Sequence, residues 1–295
     1  MGEAWFMSEE RRMFDELLGD LDTLPVAELR HVLEEIASGT VSFGSLDEWR
    51  DWFLYLLPQL VPRIHQRDYA SLLEVTITAL FTQYPAGLEE CSHPGFREDV
   101  LNTLGQCQMD AACWPDGELD VEVCLDRYFI PRLGLWCWSD ANGPLSASMF
   151  LCLKYLRADE VGTWLRSVLA IREPRWRAQV MSWLLGAHAV LTGTVRQPSK
   201  FDQSGYPRID WDWSHCLSGD YHNGDTGECR RLDFIPEANR ETALLGIKEH
   251  FDEATFLDWL ASFETIPSVQ AELAATPFWF FELYGSQHPS PVQAS

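Results

Sequence analysis

Four side chains of the kinds that zinc accepts, His215, Cys216, His222 and Cys229, lie close together in the sequence. Their spacing does not suit one ion, because adjacent ligands at 215 and 216 point apart and neither a C-x-x-C nor an H-x-x-x-H frame is present. Asp220–Gly227 (DYHNGDTG) is rich in oxygen ligands but lacks the sixth-position glycine and twelfth-position glutamate of a calcium-binding EF-hand loop; a turn is the simpler reading. Asp47 and Asp51, four apart, are placed to offer paired carboxylates to a divalent ion from one helix face, yet Arg50 and the lack of a second pair favour a solvated face. His31 with Glu34 and Glu35 is not the H-E-x-x-H of a zinc protease, and His188 sits in an apolar helix as a core residue would. Ser42 in GTVSFG has its glycine too far upstream for a nucleophile elbow, and no phosphate-cradling glycine loop occurs. No catalytic residue, no metal ligand and no cofactor is predicted.

A second use for the same region is recognition of a basic protein. Asp202, Asp210, Asp212, Asp220, Asp225 and Glu228 gather around Trp211 and Trp213, and carboxylates beside tryptophan anchors suit a docking surface. Asp210, Trp211, Asp212, Trp213, Asp220, Asp225 and Glu228 are therefore the predicted partner-binding residues. The local alternative is that Asp210 and Asp212 pair across a hairpin with Arg230 and Arg231, at only ~0.2–1 kcal/mol per pair. Arg166, Arg172, Arg175 and Arg177 form the one basic cluster, either a counter-charge for the acidic N-terminal part or an anion site.

The elements that would position these groups are mostly helical. Ser45 and Glu48 form a capping box that opens the stripe Trp49, Trp52, Phe53, Leu56, Leu57 and Leu60, with Pro58 and Pro62 to kink or end it. Asp68 caps a second stripe running from Tyr69 to Tyr84, and the short connection makes the two helices antiparallel neighbours. Further stripes start at Phe96, Met149, Val161, Trp176 (behind a first-turn Pro174), Leu244 and Phe256. Between Thr192 and Glu237 glycines and prolines interrupt helix. There Tyr206–Trp213 alternates Ile209, Trp211 and Trp213 against Arg208, Asp210 and Asp212, which predicts a strand hairpinned to Cys229–Ile235. The predicted fold is all-α: antiparallel helical hairpins packed as an irregular bundle or HEAT-like solenoid, with a small β-hairpin and loop insertion near 194–236. The predicted organisation is a helical array over 1–193, the acidic insertion over 194–236, C-terminal helices over 237–285 packing on the array, and a disordered tail over 286–295.

Charge sets the class of partner. Residues 1–130 hold 25 Asp and Glu against 8 Lys and Arg, residues 131–200 hold 4 against 9, and residues 201–295 hold 16 against 5, for a net charge of −23. Three lysines in total and this balance argue against nucleic acid and against anionic membrane surfaces. No stretch near the N-terminus reads as an export signal and no apolar run approaches a membrane span, so a cytoplasmic protein with reduced cysteines is expected.

The acidic, single-chain, helical character, together with the Trp-rich segment LDEWRDWFLYLLPQLVPRI, resembles the immunity proteins that Gram-negative bacteria make against their own secreted antibacterial toxins, including type VI secretion effectors. The resemblance implies a stoichiometric inhibitor without catalytic activity, bound to a cognate toxin with a basic surface, a nuclease foremost. It assigns no residue. A helical scaffold or adaptor, and a metal-dependent helical enzyme, are the alternative readings.

Overall fold

Apolar stripes at helical spacing account for most of the architecture. The computed structural model describes residues 14–42, 46–64, 72–105, 128–130, 135–137, 143–198, 209, 211–217, 220–222, 229–231, 233–264 and 276–285. Its α-helices are α1 (Val26–Ser42), α2 (Leu46–Leu60), α3 (Leu73–Gln83), α4 (Phe96–Thr103), α5 (Gly143–Tyr155), α6 (Ala158–Ala170), α7 (Pro174–Leu191), α8 (Glu237–His250), α9 (Glu253–Phe263) and α10 (Thr276–Tyr284). The protein is all-α in class. Two short antiparallel strand pairs join the helices: β1 (Tyr128–Ile130) with β2 (Leu135–Cys137), and β3 (Asp220–His222) with β4 (Cys229–Arg231).

Helix α2 buries Trp49, Phe53, Leu56, Leu57 and Leu60 and half-buries Trp52, as its stripe requires; Pro58 falls in its last turn. The proposed Ser45 and Asp68 caps lie outside the described residues. Glu173 caps α7 by accepting the Trp176 N–H at 2.6 Å, with Pro174 in the first turn where its missing N–H costs nothing. Asp252 caps α9 in the same way through the Thr255 N–H at 2.7 Å.

Two helices, α3 and α5, are apolar nearly all round and are buried accordingly. Helix α3 packs against both α1 and α2 and against α5; α5 in turn meets α4, α6 and α8. Helix α6 lies on α8, and α7 carries α8, α9 and α10. The largest helix contacts thus join each helix to the next but one: α1 to α3, α3 to α5, α6 to α8 and α7 to α9. Asn239 ties α8 to the end of α5, its buried Nδ2 donating to the carbonyls of Leu153 and Leu156, both at 2.7 Å.

The insertion departs from its predicted form. The strand that faces β4 is Asp220–His222, with Asp220 opposite Arg231 and His222 opposite Cys229. Asp212–Cys216, expected within or just after a strand, is a 3₁₀ helix packed on α1 and α3. The reason lies in the core. Ile209 and Trp211 are 5% and 4% exposed, and Trp211 sits in an aromatic cluster with Phe81 of α3 (5.8 Å between ring centroids), Phe150 of α5 (5.9 Å, stacked) and Phe234 (6.2 Å). Its indole N–H donates to Thr78 Oγ1 at 3.0 Å, which satisfies the one polar atom such a burial would otherwise strand. The insertion closes the core between α3 and α5.

Candidate protein-binding surface

Of the partner-binding residues predicted from the sequence, Trp211, Asp212, Trp213 and Asp220 fall within the described residues. Trp211 is an interior residue, and the reading of it as an exposed anchor is corrected by its aromatic neighbours and its bond to Thr78. Trp213 is half-buried, its backbone N–H donating to Glu74 Oε1 at 3.2 Å and its ring 5.8 Å from that of His215. Asp212 is exposed at the start of the 3₁₀ helix, and Asp220 opens β3. Asp210, Asp225 and Glu228 lie outside the described residues, as does the tail over 286–295.

The residues weighed for metal or catalytic chemistry have other occupations. His215 bonds through Nδ1 to the Asp212 carbonyl (2.9 Å) and lies 3.5 Å through Nε2 from Cys216 Sγ; burial, with Glu34 adding to it, pushes the Cys216 thiol up. Such a thiol holds its proton and is a poor metal ligand at neutral pH. Among the described residues no three His, Cys, Asp or Glu come together as metal ligands. Cys91, Cys152 and Cys216 are free thiols, and Cys152 Sγ donates to the Gly105 carbonyl at 3.0 Å. His31 reaches Glu35 at 3.1 Å on an open face of α1. Asp47 and Asp51 are exposed, while Arg50 turns away from them, donating to the Gln83 carbonyl at 2.8 Å with its guanidinium 5.0 Å from the Tyr84 ring.

His188 and His250 flank the packing of the C-terminal helices on α7. The His188 ring stands edge-on to Tyr284 at 4.9 Å, and the Tyr284 hydroxyl, its pKa raised by burial, donates to the Leu184 carbonyl at 2.6 Å. The His250 ring lies against Phe251 (4.9 Å) and Trp259 (6.0 Å), with Nε2 buried and unpaired. Burial pulls both imidazoles below the ordinary histidine value of 6.5, aided at His188 by Lys248 and at His250 by Arg177 and opposed by the Leu283 backbone and by Asp252 respectively. At high pH both imidazoles are neutral in the folded and the unfolded chain, so their titration does not affect stability there. As pH falls through 6.5 the unfolded chain takes up protons that the folded chain resists, so stability drops from there downward. We expect His250→Phe to lose less stability than wild type between about pH 7.5 and pH 5.5 in chemical denaturation. Equal losses in the two proteins would show that His250 is not part of that acid sensitivity.

What the surface does carry is carboxylate. The buried and half-buried cations are turned inward: Arg97 (side chain 10% exposed) meets Glu160 at 2.5 Å and donates to the Tyr155 carbonyl at 3.2 Å. Arg177, 9% exposed, meets Asp258 at 2.9 Å, with its guanidinium 5.2 Å from the Trp259 ring. Lys154 donates to the Phe234 carbonyl at 3.0 Å, Arg240 reaches Asp233 at 3.5 Å, and Arg63 is paired with Asp22. Within the basic cluster, Arg177 serves a carboxylate of the C-terminal part and Arg166 turns to Thr163 Oγ1 at 3.1 Å. Asp20, Asp22, Asp47 and Asp51, by contrast, stand exposed around α2, in the company of exposed Leu18 and Tyr55. No helix among the described residues is long and apolar enough to cross a membrane. Comparison with family models, with curated proteins and with solved structures finds no match for this chain.

Proposed function

We propose that the chain is an immunity protein: a non-catalytic inhibitor that binds a basic antibacterial toxin, of which a nuclease effector is the leading class, and occludes its active site or assembly surface. The observation that carries this reading is the division of charge. Arg97, Arg177 and Lys154 are spent on carboxylates, carbonyls and rings of the chain itself, while Asp20, Asp47 and Asp51 stand exposed within a net charge of −23. An outward acidic field steers a basic partner toward contact and imitates the phosphate backbone that a nuclease cleft is built to hold. The same field repels nucleic acid itself and anionic lipid.

Tagged protein incubated with its host's lysate at low salt, eluted by a salt step and analysed by mass spectrometry, is expected to release a basic toxin domain. That domain, once purified, should lose its toxicity at one equivalent of this chain. Capture that is indifferent to salt, or a captured basic protein whose activity is unchanged at equivalence, would overturn the reading.

A further inference from the structure

Helices α9 and α10 grip α7 at two places about 16 Å apart along it, and a histidine stands in each. At the first, Arg177 of α7 meets Asp258 of α9 at 2.9 Å and lays its guanidinium 5.2 Å from the Trp259 ring, while His250, the last residue of α8, sets its own ring 6.0 Å from that same indole. At the second, the Tyr284 hydroxyl of α10 donates to the Leu184 carbonyl at 2.6 Å, and the His188 ring stands edge-on to Tyr284 at 4.9 Å. One run of ring contacts joins the two places: His250 to Phe251 (4.9 Å), Phe251 to Phe280 (5.0 Å), Phe280 to Tyr284 (4.9 Å) and Tyr284 to His188. Phe278 and Phe281 of α10 and Leu257 of α9 stand outward, 65%, 58% and 56% exposed. Only Phe251 and Asp252 separate α8 from α9, so the grip closes directly on His250.

We infer that His188 and His250 make this seam a proton-operated latch: above about pH 7 α9 and α10 are held on α7, and proton uptake by the two imidazoles releases them while the rest of the fold stays closed. The charges that act on His250 are Arg177 of α7, which opposes a second cation on the Trp259 ring, and Asp252 at the head of α9, which favours one. On His188 the charge is Lys248 of α8, again a cation, and Leu283 of α10 offers only its backbone. Asp258 is already engaged by Arg177, and His250 Nε2 is buried without a partner. A proton added there makes a buried cation beside a cation, which the closed seam resists and an opened seam, with both rings in water, accepts. The sign is therefore fixed: burial holds both imidazoles below 6.5 in the closed seam, protons bind the open seam more tightly, and acid below 6.5 favours opening. At about pH 5.5 the opening equilibrium shifts by up to about tenfold for each histidine and up to about a hundredfold for both. Asp252 and Glu160 are held below their ordinary carboxylate values and stay ionised at that pH, so the cap of α9 and the Arg97 tie of α4 to α6 are kept. Helices α3 and α5 contain no histidine. The latch needs no partner and does not depend on the immunity reading.

Hydrogen exchange of the full chain followed by mass spectrometry at about pH 7.5 and about pH 5.5, each peptide's rate divided by that of the unfolded chain at the same pH, reads the opening segment by segment. We expect peptides over Glu253–Phe263 and Thr276–Tyr284 to lose about threefold to a hundredfold in protection at the lower pH, and those over Leu73–Gln83 and Gly143–Tyr155 to lose less than about twofold. His188→Phe/His250→Phe should remove the C-terminal loss, and His31→Gln, on an open face of α1, should keep it. Circular dichroism at neutral pH checks that the double variant is folded, and His188→Gln/His250→Gln takes its place if it is not. Unchanged C-terminal protection in wild type, a loss shared equally by α3 and α5, or the same loss in the double variant as in wild type would overturn the latch.

Discussion

Trp211→Ala is expected to destabilise the protein by about 3–5 kcal/mol, the cost of emptying a large aromatic site in a core that cannot collapse around it. The side chain is 4% exposed, stacks on Phe150 and faces Phe81 and Phe234, so its removal strips contact from three rings at once and leaves the Thr78 hydroxyl without that donor. Trp211→Phe keeps most of the contact area and loses only the hydrogen bond, and it is expected to cost about 1–2 kcal/mol. Asp212→Asn, one residue along but exposed, is expected to stay within about 0.5 kcal/mol of wild type. Denaturant midpoints of the three variants measure this directly. A Trp211→Ala protein of native stability would return that residue to the surface and to the list of docking anchors.

Arg97→Ala is expected to cost about 2–3 kcal/mol. The guanidinium joins α4 to the junction of α5 and α6, bonding the part-buried Tyr155 carbonyl and the Glu160 carboxylate, and its loss removes both bonds at once. Glu160 would survive as an anion, because it also accepts the Arg157 backbone N–H at 2.8 Å and meets the Arg157 guanidinium, and this places the expected cost below that of breaking a wholly buried ion pair. Burial raises the Glu160 pKa, but the Arg157 N–H and the Arg97 and Arg157 charges outweigh it and hold the carboxyl below its ordinary value of 4.5. The sign follows: the anion stabilises the fold at pH values above 4.5, and that contribution is lost as acid protonates it through the lowered folded value. A double-mutant cycle with Glu160→Gln should show coupling at neutral pH that fades in acid. Coupling that does not weaken at all as the pH is lowered from neutrality to the acid limit of the fold would exclude the carboxylate as its source.

The helices were legible because their signal is periodic and local. The stripe of α2, the Pro174 start of α7 and the stripe of α6 are each specified without reference to any distant residue. Helix α10 was missed because an almost wholly apolar segment has no period to detect, although Thr276 and Pro277 give it a start signal like that of α7. Helix α1 carries Leu29, Val32, Leu33 and Ile36 in a plain stripe, interleaved with the polar His31, Glu34 and Glu35. The insertion was misread for a different reason. The alternation of Ile209, Trp211 and Trp213 did identify side chains that turn inward together, since the first two are buried and the third half-buried. Alternation says which side chains share a side and nothing about what lies on it. What lies there is α3, whose Thr78 is 133 positions from Trp211 in the chain. The outward aromatic face of α9 and α10 was hidden by the same kind of distance, since only packing decides which of five aromatic residues in TPFWFFELY are spent on the core.

The plug formed by Trp211 and Phe234 also fixes an order of events during synthesis. Phe81 of α3 and Phe150 of α5 leave the ribosome well before the two residues that cover them. Until residue 234 has emerged, the nascent N-terminal helices hold an unfinished apolar seam, and closing it requires loop closures as long as the 133 positions between Thr78 and Trp211. A chain cut short before the insertion would therefore be a sticky fragment needing a chaperone, and the last third of the polypeptide acts as the lid that ends that exposure.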